Sequence, residues 1–261
     1  MEIQKNAESE RLPGEAAIDL KKYTPARVAL GRTGHSLPTH RLLEFNLDHA
    51  RARDAVYSAF ELDRTERALH ELGLSSIRLH SRVEDRQEYL LRPDLGRQLN
   101  HDSSLWLQNS KIEENELCIV VADGLSAFAA NTHALEVIRR LVPMIIAQGW
   151  RLAPVALVEQ GRVAIADEIA QAMCSEMTLI LIGERPGLSA SDSLGAYLTY
   201  HPRVGLTDES RNCVSNIRPD GLGYERATEK IFYLLQEMKR YQLSGVGLKD
   251  FFSGEGQVRI S

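Results

Sequence analysis

Cysteine is scarce in this chain of 261 residues: Cys118, Cys174 and Cys213 are the only three, an odd number spread widely. That excludes a disulfide framework and points to reduced thiols in a cytoplasmic protein. With no CxxC pair and no His/Cys cluster, the sequence offers no zinc site. No apolar run reaches the roughly 20 residues that a membrane helix needs. The opening stretch MEIQKNAESERLPGE lacks the apolar core of a signal peptide. Basic charge is not in excess either: the net charge is -5 and the pI is near 5.9. This argues against a nucleic-acid partner, which calls for a strong basic patch. Also missing are a GxSxG elbow, a Walker A loop, HExxH, GxGxxG, internal repeats and low-complexity tracts.

What the chain does have is one stretch around which the rest is organised, TLILIGERPGLSASDSL, from Thr178 to Leu194. Thr178 to Ile182 are apolar or β-branched without alternation, the pattern of a strand buried on both faces. Gly183-Glu184-Arg185-Pro186-Gly187 interrupts it, because Pro186 cannot continue a ladder and glycine reaches backbone conformations closed to other residues. Ser189, Ser191 and Asp192 follow as cap-type side chains, so the segment reads as strand, tight polar loop and helix. In a parallel sheet this puts Glu184 and Arg185 at the carboxyl end of a strand, where open α/β folds bind ligands. The plainer alternative is a loop that only reverses the chain and leaves both side chains solvated.

Residues 1–24 are polar and aperiodic and read as a flexible arm. Arg32, between Gly31 and Gly34, is either a solvated loop residue or a contact to an anion or partner. From Pro38 the spacing turns helical, with Thr39 as N-cap and Leu42, Leu43, Phe45, Leu47, Ala50, Ala55 and Val56 as the apolar stripe. A second helix runs from about Glu61 to Leu72 and ends at Gly73. Residues 82–100 are dense in Arg, Asp and Glu. There Arg92 to Arg97 reads as a turn and a helix start with Pro93 at its first position. Those charges form either a solvated lattice or a charge-complementary interface. Continuous apolar strands at 117–122 and 153–159 alternate with helical stretches, the first of which Pro143 is expected to kink or split. Short strands at 196–200 and 212–217 and a last helix from about Tyr224 to Leu243, terminated by Gly245, complete the chain. The fold class is therefore α/β, a Rossmann-like, mostly parallel sheet flanked by helices and preceded by a helical N-terminal region.

Reactive constellations are sparse. Two strand-end loops, DGLS at 123–126 and GERPG at 183–187, converge on one crevice if their strands lie near the switch point. Asp123 and Glu184 are then a candidate acid/base pair, with structural roles as the plainer alternative. Cys213 has no activating histidine near it in sequence, which favours a small buried side chain over a nucleophile. The eight histidines are scattered.

Several segments taken together resemble the small (light) subunit of ethanolamine ammonia-lyase. They are RVALGRTG, RPDLGRQL, VVADGLSA, QGRVAIADEI, LIGERPGLSASDSL and RNCVSNI, covering about residues 25 to 245. The resemblance implies an adenosylcobalamin-dependent enzyme that turns ethanolamine into acetaldehyde and ammonia. In it, homolysis of the cobalt–carbon bond starts a radical reaction. The substrate lies in the large subunit, and the small, Rossmann-like subunit closes over the cobalamin at the interface of a hetero-oligomer. Cobalamin contacts of the family fall on Val163, after Gly161-Arg162; on Glu184, after Gly183; and on Cys213, before Val214-Ser215-Asn216. Binding is expected to be base-on, and no histidine here has an aspartate two residues before it, as the Asp-x-His-x-x-Gly motif demands. On this reading 1–24 is the arm, 25–115 the helical region that meets the large subunit, and 116–261 the cobalamin-contacting domain. Family members packaged in bacterial microcompartments carry a longer N-terminal extension than the 24 residues here, so packaging stays open. Two other readings stand beside this one: a free-standing α/β enzyme with a nucleotide-like ligand, and an assembly subunit without cofactor contact.

Overall fold

The computed structural model describes residues 35–252, so the expected arm and Arg32 lie outside the described residues. Contacts divide the chain into two units at Asp48/His49, within helix α1 (Thr39–Tyr57). In the first unit, the Pro38 carbonyl accepts from the backbone N–H groups of Arg41 and Leu42, and Arg41 pairs with Glu44 at 2.8 Å. The second unit carries the sheet.

Six strands form that sheet in the order β1-β3-β2-β4-β5-β6. They are β1 (Ser76–His80), β2 (Asn115–Ala122), β3 (Val155–Glu159), β4 (Ser175–Gly183), β5 (Leu194–Tyr200) and β6 (Asn212–Ile217). The first four in spatial order run parallel, and β5 and β6 are antiparallel additions. The α/β expectation holds. The sheet also draws on both sides of residue 115, because β1, with its short β-like run at Ile77–Leu79, pairs with β3.

Alternation along the central strands explains the layers. Leu117, Ile119 and Val121 of β2 and Met177, Leu179 and Leu181 of β4 join one core with Leu141 of α5 (Ala127–Ala147) and Ile231 of α7 (Tyr224–Tyr241). Cys118, Val120, Ile180 and Ile182 turn to the other face, against Ile165 and Ile169 of α6 (Ile165–Ala172) and Leu107 of α4 (His101–Asn109). The chain leaves β2 for β3 on one side and returns to β4 on the other. That reversal opens a switch point at the carboxyl ends of the parallel strands.

Four local expectations change. No helix follows GERPG: the chain turns at Gly187–Ala190 and comes back as β5 beside β4. Residues 184–193 are too few for the crossover that a parallel return needs, so the hairpin is the available connection. Pro143 does not split α5, which runs unbroken through it. A proline inside a helix costs about 3 kcal/mol, and burial of Leu141, Val142 and Ile145 around it offsets that at about 1.5–3 kcal/mol each. The expected turn at Pro93–Asp94 leads only into a single 3-10 turn, Leu95–Arg97, capped at Asp94, and the α-helix beside it comes earlier: α3 (Arg86–Leu91) is capped by Asp85, whose side chain accepts from Glu88 N. At the chain's far end, α7 stops on Gln242 in the left-handed region (φ 54), ahead of Gly245.

Candidate functional site

Three loops leave the parallel strands on one edge of the sheet: Asp123–Ser126 after β2, Gln160–Val163 after β3, and Gly183–Gly187 after β4. The first and third meet backbone to backbone. Leu125 N donates to the Gly183 carbonyl at 2.9 Å. Gly124 has φ +57, and a Cβ there would overlap the Gly183 carbonyl oxygen, while one on Gly183 would overlap that of Ser126. Only glycine permits this approach. The DGLS and GERPG loops thus converge as the sequence leads one to expect.

Between them and the β3 loop lies a cavity of about 410 Å³, lined by Tyr89, Leu125, Arg162, Val163, Glu184 and Tyr197 among others. Val163 and Glu184 therefore face the same space. Cys213 does not line it, and the residue is exposed where the sequence leads one to expect a buried side chain. It sits on β6 opposite Tyr197 of β5, close enough for the thiol and the Tyr197 hydroxyl to act on one another electrostatically. Burial pushes the Cys213 thiol above its ordinary pKa, with Tyr197 pulling the other way and the Glu184 charge adding to the rise. The group is a neutral thiol at neutral pH, a packing and hydrogen-bonding surface and no thiolate nucleophile.

Glu184 is held by its own chain. Its Oε2 accepts from Ser193 Oγ and from Asn216 N at 3.2 Å. Asn216 has φ 58, and this turn brings the CVSN segment against the GERPG loop. Glu184 lies directly over Gly195, where a Cβ would come within 2.9 Å of Oε1. Among the described residues Oε1 has no hydrogen-bond partner, so one lone-pair face is left for a ligand donor.

The Val163 loop is fixed from beneath. Asp123 is 4% exposed, accepts from Gly161 N at 3.3 Å and lies 3.6 Å from Arg86. Burial pushes its pKa up to about 6 against the pull of Arg86 and the backbone N–H groups. It is not among the residues lining the cavity, so it supports the loop and does not form an acid/base pair with Glu184. Tyr89, fully buried on α3, donates to the Gly161 carbonyl at 3.0 Å. The guanidiniums of Arg86 and Arg162 both lie over its ring, 4.6 and 4.0 Å from the centroid.

Two further networks lie outside the cavity lining. Asp192 accepts from Arg218 at 3.2 Å and faces His133 Nε2 at 3.3 Å, and His133 Nδ1 meets the Tyr224 hydroxyl at 2.8 Å. Arg211, just before β6, donates to Asp167 of α6 at 2.7 Å, both side chains being 2% exposed. Sequence reasoning missed Tyr89, Ser193 and Tyr197, whose roles depend on which strands become neighbours. Arg162 carried a readable signal: it directly precedes Val163, as Arg185 directly follows Glu184.

This fold and site define an α/β subunit that offers a ligand crevice at its switch point. Among the described residues there is no group of three or more His, Cys, Asp or Glu that could hold a metal ion, and no helix is long and apolar enough to cross a membrane. A family model described as ethanolamine ammonia-lyase light chain matches residues 15–249. The ethanolamine ammonia-lyase small subunit of Pseudomonas fluorescens is 52% identical over 245 residues, which cover 93% of this chain and 88% of that one. That of Azotobacter vinelandii is 53% identical over 234 residues, covering 88% and 87%, and that of Ralstonia nicotianae is 52% identical over the same length and shares. The chain belongs to the ethanolamine ammonia-lyase light chain family.

Proposed function

We propose that this chain is the small subunit of an ethanolamine ammonia-lyase, a carbon–nitrogen lyase that converts ethanolamine to acetaldehyde and ammonia. With a large subunit it forms a hetero-oligomer, and it holds one edge of base-on adenosylcobalamin at their interface. The observation that carries the reading is the shared cavity: Val163 and Glu184 line it, and Cys213 lies beyond Tyr197 at its side.

The residues fit the group. A corrinoid ring bordered by amide arms wants apolar walls with a few aimed acceptors. Val163, Leu125 and Ile182 give the walls, and Glu184 Oε1 is an acceptor whose position is set by the bonds on Oε2. The Cys213 thiol and Tyr197 hydroxyl extend that surface along β5 and β6. About 410 Å³ is smaller than a whole corrinoid, so this chain takes an edge and the large subunit covers the rest. When bound, adenosylcobalamin supplies the radical chemistry; Val163, Glu184 and Cys213 position it. Residues 25–115 supply contact to the large subunit, and Leu91, Leu105 and Trp106 there are exposed.

The test is Glu184→Ala in the complex of both subunits, titrated with cobalamin and followed by absorption. A charge-assisted hydrogen bond lost from the site weakens binding by about tenfold or more, with the subunit complex intact by gel filtration. Unchanged affinity overturns the assignment of Glu184 as a cofactor contact.

A further inference from the structure

The crevice carries an unbalanced charge. Arg162 and Arg185 line it together with Glu184, and Arg86, Arg97 and Arg185 are close enough to Arg162 to act on it electrostatically. Arg86 is answered by Asp123 at 3.6 Å; Glu184, held only by the neutral donors Ser193 and Asn216, offsets one of the two guanidiniums that line the cavity. Among the described residues no carboxylate forms an ion pair with Arg97, Arg162 or Arg185. Two guanidiniums against one carboxylate thus line one cavity of a chain whose net charge is -5.

Arg162 is also held in place. Its backbone N–H donates to the Gly96 carbonyl at 2.7 Å, its Nη2 to the Tyr89 carbonyl at 2.8 Å, and its guanidinium lies 4.0 Å over the Tyr89 ring. Its Nε is buried and has no acceptor. Burial pulls its pKa below the ordinary value against the opposing effect of Tyr89, and the three neighbouring arginines pull it further down. A fixed guanidinium with an unmet donor, beside a second and more exposed arginine, is an anion receptor.

Cobalamin has one group that answers this. Its ring arms are neutral amides, and its anionic group is the phosphodiester that joins the nucleotide tail. We propose that Arg162 and Arg185 receive that phosphodiester, so that the nucleotide tail as well as the ring edge docks on this chain. The inference rests on the cofactor reading above and adds to it a second point of attachment.

Cobinamide, which lacks the nucleotide and its phosphodiester, is the discriminating probe. Arg162→Ala and Arg185→Ala are each assembled with the large subunit and titrated with cobalamin and with cobinamide, followed by absorption. Cobalamin binding is expected to weaken about tenfold to a hundredfold, and cobinamide binding to stay as in the unaltered complex. Arg185 is exposed, so its variant keeps the test valid should Arg162→Ala fail to fold. Equal weakening of both probes, or of neither, overturns the proposal. Loss of the two-subunit complex on gel filtration also overturns it, by assigning the arginines to the protein interface. Glu184→Ala run alongside separates the two readings. Unchanged binding by that variant sinks the cofactor contact itself, whereas failure of the arginine variants alone sinks only the phosphodiester contact.

Discussion

Gly195→Ala moves the proposed cobalamin acceptor, Glu184, without replacing it. A Cβ on residue 195 would stand 2.9 Å from Glu184 Oε1, 3.1 Å from its Cγ and 3.2 Å from its Cδ. Every atom it meets belongs to one flexible side chain, so the backbone of β5 can stay and Glu184 must swing away. The swing breaks the bonds from Ser193 Oγ and Asn216 N. Hydrogen bonds to a charged group contribute about 1.5–3 kcal/mol, and alanine in a strand regains about 0.5–1 kcal/mol over glycine. Counting one such bond, because the freed carboxylate regains water in place of the other, the net loss is about 0.5–2.5 kcal/mol, or about 2–4 °C in Tm for each kcal/mol in a chain of this size. Cobalamin affinity of the two-subunit complex is expected to fall about as far as in Glu184→Ala, because in both proteins the acceptor is no longer where the ligand finds it. The double variant should lose no more than either single one, as expected of groups that act through one contact. Calorimetry reads the stability and absorption titration the affinity. Full cobalamin affinity in Gly195→Ala, or additive losses in the double variant, would refute the claim that Gly195 positions Glu184.

Two more outcomes follow from the buried charges. Asp123 has a folded pKa of about 6, above its unfolded value of about 3.9, so the folded state binds the proton more tightly. Its stabilising contribution is full below about pH 3.9 and is lost as the pH rises through 6; Asp123→Asn should therefore remove about 3 kcal/mol of pH dependence across that window, and urea unfolding curves of unchanged pH slope would contradict this. Arg211→Met strands Asp167, a partner that is 2% exposed, and should cost about 3–5 kcal/mol, whereas Arg211→Met combined with Asp167→Leu should cost clearly less than the sum of the two single changes; urea unfolding again decides, and additive losses would count against a coupled pair.

The parts of the fold that a local pattern encodes were legible in the sequence. Unbroken apolar runs marked β2, β3 and β4, because strands buried on both faces have no polar alternation to interrupt them. Glycines marked the loops that must approach each other. What escaped was anything set by a distant neighbour. Serines and an aspartate after GERPG look like a helix cap, yet Asp192 is taken by Arg218 and His133 and the chain turns back as β5. Pro143 carries a local penalty that burial of α5 overrides. In the crevice, Glu184 was visible as a strand-end acid, but its contact with Asn216 spans 32 positions of sequence, and Tyr89 reaches Gly161 across 72. No spacing rule covers such distances.

The strand order also acts as a ruler. The loop bearing Val163 springs from β3, and Cys213 rides on β6, four steps away in the order β1-β3-β2-β4-β5-β6. Adjacent strands lie about 4.8 Å apart, so those two strands are separated by about 19 Å. A molecule that met Val163, Glu184 and Cys213 together would have to reach across that width. A two-carbon amino alcohol reaches only one mark on that scale.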